Sequence, residues 1–190
     1  MINGFLEYTT LPWEERLGKQ IRQTSGNTIE NIIVSNKIID ANTLVSTLIR
    51  EGQIIMVDTY ITHTSGELKK VTNQYPGQPP HWTYEYEMRE GELQVTRTDP
   101  ERETSHYKMV VTERDSQGRV SIAEYRETVS GNVIGRIYAM RNDDGNLIQE
   151  VFEDAEEGAR AVISCDRDGR WLLREHFQNG MLLMKQEYIH

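Results

Sequence analysis

The 190-residue chain is short of cysteine, basic residues and late proline, and it has no long apolar run. Its single cysteine, Cys165, leaves no partner for an intrachain disulfide and no basis for a cysteine-rich metal site. One lone thiol favours a reducing compartment, so the expected location is cytoplasmic. No stretch approaches the ~18 apolar residues of a transmembrane helix. The opening MINGFLEYTT lacks the basic segment followed by an apolar one that marks an export signal. With 21 Lys+Arg against 30 Asp+Glu the net charge is −9. That sign argues against a sequence-independent grip on nucleic acid or on an anionic membrane, both of which need a basic surface.

Signatures of chemistry are scarce as well. There is no Gly-x-Ser-x-Gly elbow, no phosphate-binding Gly-rich loop and no dinucleotide fingerprint. The five histidines, His63, His81, His106, His176 and His190, never fall in His-x-His or His-x-x-x-His spacing. No metal, no cofactor and no catalytic residue is therefore expected. Cys165 beside His176 reads as a strand cysteine rather than a nucleophile, since only Arg167 is at hand to depress its pKa.

What the chain does have is turns. Gly118, Gly131, Gly145, Gly158, Gly169 and Gly180 recur 11–14 residues apart, a spacing suited to short antiparallel strands. They sit in SQGR (116–119), SGN (130–132), NDDGN (142–146), EEGA (156–159), RDGR (167–170) and QNGM (178–181). Asp-Gly and Asn-Gly supply the positive φ angles that hairpins need. Gly135 falls inside a run and predicts a bulge or bend. No proline follows Pro100, so nothing there interrupts a ladder.

Between the turns, Val, Ile, Tyr, Phe and Trp predict strands at 30–39, 54–63, 67–74, 81–89, 92–98, 105–113, 119–129, 132–141, 146–153, 160–165, 170–177 and 181–189. Two short N-terminal helices are expected. One follows Pro12 through WEERLGKQIR, with Leu17 and Ile21 on one face. The other spans about Ala41 to Glu51, where Leu44, Val45, Leu48 and Ile49 form a stripe ended by Gly52. The expectation is one all-β domain over 1–190, an antiparallel up-and-down meander of about ten to twelve strands.

A weak internal repeat joins NDDGNLI (142–148) to DRDGRWL (166–172), with RDSQGRV (114–120) as a looser copy. It resembles the tyrosine-aspartate hairpin repeats of Rhs-type proteins over residues 112–190. Cys165 and Arg141 stand near where the repeat tyrosine belongs. Charges intrude on otherwise apolar strand faces, which suits a barrel with a partly wet interior better than a sandwich. Many sequential hairpins behind short helices resemble, in layout, the calycin barrels of lipocalins and fatty-acid-binding proteins. The Gly-x-Trp that opens a lipocalin barrel is absent; Leu11-Pro12-Trp13 stands closest to it. A closed barrel is the first expectation and an open twisted sheet the second.

Candidate site residues come from the aromatics. Strand 81–88 alternates Trp82, Tyr84, Tyr86 and Met88 on one face against His81, Thr83, Glu85 and Glu87. Trp171, Leu173 and Phe177 share a face, as do Ile134, Arg136, Tyr138 and Met140. The residues expected to line a ligand cavity are Trp82, Tyr84, Tyr86, Arg136, Tyr138 and Trp171, with Arg174 as another inward charge. Asn142, Asp144 and Asn146 offer alternating oxygens but lack the distal Glu of a calcium loop, and read as turn chemistry. Two functions follow. One is a non-catalytic barrel holding a small, partly apolar or aromatic ligand or pigment. The other is an acidic interaction module, of immunity, antitoxin or assembly-partner type, for a basic protein.

Overall fold

The computed structural model describes residues 18–64, 68–90, 92–101, 103–155 and 158–190. The chain folds as β1 (Gln20–Ser25), β2 (Thr28–Asp40), β3 (Thr43–Arg50), β4 (Gln53–Thr62), β5 (Leu68–Gln74), β6 (Pro80–Arg89) and β7 (Glu92–Thr98). It continues through β8 (Thr104–Arg114), β9 (Val120–Glu127), β10 (Val133–Arg141), β11 (Leu147–Asp154), β12 (Ala159–Cys165), β13 (Trp171–Gln178) and β14 (Met181–Ile189). Each strand pairs antiparallel with its chain neighbours, and β1 pairs with β14, so the sheet closes into a 14-stranded barrel.

The twelve sequence-predicted strands are all present; the two additional ones lie where helices were expected. No helix occurs among the described residues. Residues 41–51 are β3 and its flanking turns. Leu44, Ser46 and Leu48 take one face, and Val45, Thr47 and Ile49 the other. A strand apolar on both faces imitates a helical stripe in sequence. The strand ends in a Glu51-Gly52 turn with φ of 53° and 78°, the positive pair that a two-residue hairpin demands. Of the first expected helix, Ile21 lies in β1, where it is buried; Pro12 to Leu17 lie outside the described residues.

The sequence repeat is one turn built three times at one rim. Asp115, Asn142 and Asp166 each accept, through Oδ1, the backbone N–H four residues on, at 2.9 Å. Each also accepts at its backbone carbonyl from the turn glycine, Gly118, Gly145 or Gly169. The copies are tied together. Asn142 and Asn146 donate to the Arg167 carbonyl, and Arg167 pairs with Asp144 at 2.9 Å. The side chains of Asn142, Asp144 and Asn146 thus serve the turn and its neighbour.

Bulges set which residues face inward. In β10 the register shifts between Val133 and Gly135, so Gly135, Ile137 and Ala139 point in. Gly135 is needed there: a Cβ would lie 2.7 Å from the Phe152 ring and 2.9 Å from the Glu153 carbonyl. In β13 a shift opposite Ser164/Cys165 keeps Trp171 inside while turning Leu173, Glu175 and Phe177 away from Arg174 and His176.

Candidate ligand-binding lumen

The barrel interior divides into a packed apolar side and a more polar side. On β6–β11, Tyr84, Tyr86, Val95, Tyr107, Tyr125, Ile137 and Phe152 fill the space as core. Elsewhere polar side chains line up across the strands. One row runs Asn36, Ser46, Asp58, Asn73 and Trp82 through β2–β6. Another runs Gln23, Gln186, Arg174, Ile163 and Glu150 through β1, β14, β13, β12 and β11. Between them lies a partly open cavity of about 130 Å³. Its apolar wall is Ile21, Val34, Leu48, Met56 and Trp171; its polar wall includes Ser46, Asp58, Asn73, Arg174 and Gln186.

The electrostatics follow from this arrangement. Asn73 Nδ2 donates to Asp58 Oδ1 at 2.6 Å. Burial pushes the Asp58 carboxyl up to about 6, against the pull of that hydrogen bond and of the Arg174 charge. His176 is driven the other way, down to about 4, by burial and then by the like charge of Arg174. Burial raises the Tyr188 phenol, with Arg174 opposing it. Tyr188 packs edge-on to Trp171 at 5.4 Å, and Gln186 Nε2 donates to Gln23 Oε1 at 2.8 Å.

The expected site residues separate into three groups. Trp171 lines the cavity and Arg174 points into it. Tyr84 and Tyr86 are buried on the packed side, and Trp82 packs against the same core. Met88, expected with them, is exposed at the strand end. Arg136 and Tyr138 do not face the lumen. Their parity is opposite to Ile137, and the Arg136 side chain is 54% exposed on the outer surface, donating to Glu124 at 3.0 Å. Met140 is outside as well, while Ile134 still packs on the core beside the bulge. Sequence reading missed Ser46, Asp58, Asn73 and Gln186. The available signal was polar residues at alternate positions in apolar strands, as in Met56-x-Asp58-x-Tyr60.

No known protein family and no curated protein sequence matches this chain. Among solved structures, a porin-like protein from Bacteroides uniformis aligns over 95% of this chain and 98% of its own, at 11% identity and a TM-score of 0.29. That likeness is too low to argue from.

Proposed function

We propose that the protein is a non-catalytic binder of a small, partly apolar ligand held in the barrel lumen. The carrying observation is the cavity itself, with an apolar wall facing Asp58, Asn73 and Arg174. An apolar cavity of ~150 Å³ holds a benzene ring, whereas drug-sized ligands need ~300–1,000 Å³. About 130 Å³ therefore favours a molecule of about one ring over a pigment. The outer surface carries cross-strand ion pairs such as Lys70–Glu85 and Arg160–Glu153, which supports a barrel working in water. Native mass spectrometry of freshly purified protein tests the reading, beside Ser46→Leu, which fills the cavity from a buried position. The expected result is a bound small mass in wild type that Ser46→Leu lacks. If nothing copurifies, and small phenols and indoles raise the melting temperature of neither protein, the reading falls.

A second reading, contact with another protein, draws support from the outer face. Ile189, Gln20, Ile33, Ile49 and Ile54 form one register row across β14, β1, β2, β3 and β4. Of these, Ile33, Ile54 and Ile189 are exposed. Exposed apolar groups in a line suit an interface. Pull-down with wild type against Ile33→Lys separates this reading, since that change leaves the lumen untouched.

A further inference from the structure

Arg97 is not among the residues that line the cavity beside Asp58 and Arg174. It has the inward parity of buried Val95 and pairs in register with Tyr84 on β6 and Ser105 on β8. Its guanidinium carbon sits 5.1 Å from the centre of the Trp82 ring and 5.8 Å from that of Tyr107. Aromatic faces stabilise the cation through their quadrupole but accept no in-plane hydrogen bond from it. Arg97 Nε is buried without an acceptor. Among the described residues no carboxylate pairs with Arg97. Asp99, two residues along, spends its Oδ1 on the backbone N–H of Glu103 at 2.8 Å. A buried donor left unmet by the described residues is costly, so the geometry calls for an acceptor beyond them.

The Trp82 ring is followed by further rings. Exposed Tyr75, in the loop before β6, meets His81 edge-on at 5.0 Å, and His81 meets Trp82 at 5.5 Å. Beside Arg97, the Tyr84 phenol is raised to about 12, chiefly by burial, so it stays protonated.

We propose that Arg97 with Trp82, Tyr84 and Tyr107 is a second binding site, selective for planar organic carboxylates. The Nε–H and a terminal N–H of a guanidinium form a flat fork that matches the two oxygens of a carboxylate, while the rings favour an aromatic body beside it. The site does not depend on the cavity lined by Arg174.

Sodium benzoate, titrated into the full chain at constant ionic strength, tests this by calorimetry and by the ¹⁵N-edited resonance of Arg97 Nε–H. The expected result is saturable binding that moves this resonance, is at least about tenfold weaker in Arg97→Lys, and is unchanged in Ser46→Leu. Loss of binding in Ser46→Leu with retention in Arg97→Lys would place benzoate in the other cavity and overturn the assignment. An unmoved Nε–H resonance in wild type overturns it too, whatever the variant's folding. Inorganic phosphate serves as the competing arm: displacement of benzoate at equal concentration would refute the preference for carboxylate.

Discussion

Replacing Asp58 by asparagine alters how stability responds to pH, because two lumen groups titrate in opposition. The Asp58 carboxyl rises from 3.8 to about 6 on folding, so its ionisation penalty is absent below 3.8, accrues up to about 6 and is complete above that. One pKa unit corresponds to about 1.4 kcal/mol, giving about 3 kcal/mol, reduced to about 2 because the cavity is partly open to water. His176 falls from 6.5 to about 4, so its penalty is absent above 6.5 and grows as pH drops to about 4. In wild type the two trends offset each other across that window. The side-chain amide of Asp58→Asn retains an oxygen to accept the Asn73 hydrogen bond but cannot ionise. The variant is expected to be more stable than wild type by about 2 kcal/mol at pH 8, a rise of roughly 4–8 °C in melting temperature for a chain of this size. Near pH 4 the two proteins should melt together. Calorimetric or circular dichroism melts at half-unit steps from pH 4 to 8 provide the measurement. Melting curves that stay parallel across the whole range would refute the burial argument for Asp58.

Other outcomes follow from the fold. Gly135→Ala should destabilise by about 1–3 kcal/mol, read by urea unfolding, because its Cβ meets the Phe152 ring and the Glu153 carbonyl. Gly145→Ala should cost more than Gly77→Ala, by the same measurement. Both have positive φ, but only at Gly145 does the Arg119 side chain occupy the Cβ position, whereas Gly77 opens on empty space. Arg136→Leu should leave the urea midpoint nearly unchanged, since Arg126 still donates to Glu124; a clear loss would show that the outer ion pair matters more than its exposure implies.

The β architecture was legible because hairpin turns carry local chemistry. Asp-Gly and Asn-Gly announce positive φ wherever they occur, and the alternation of Trp82, Tyr84 and Tyr86 places them together on the inner face. β3 was misread because Val45 and Ile49 are apolar on its outer face, which erases the period of two. Its β-branched content, in Thr43, Val45, Thr47 and Ile49, was the opposing sign. The lumen was harder to read. Bulges are invisible to strict alternation, so the shift beside Gly135 reversed the assignment of Arg136 and Tyr138. The shift near Cys165 separated Trp171 from Leu173. Asp58 and Asn73 meet only because β4 and β5 pair in a particular register, and that register is a product of the hairpin rather than of either residue.

The ring of strands has one seam. Every pairing but one joins chain neighbours; β1 against β14 brings together residues such as Gln23 and Gln186, 163 positions apart. Until that pair forms, the meander is a curved ribbon with two unpaired edges, each able to recruit another strand. Closure therefore competes with exchange. A copy whose β14 completes the barrel of its neighbour makes the same hydrogen bonds as one that completes its own, and concentration decides between them. The ladder from Gln20–Ile189 to Thr24–Lys185 is thus the pairing on which a self-contained ring, rather than an exchanged pair, depends.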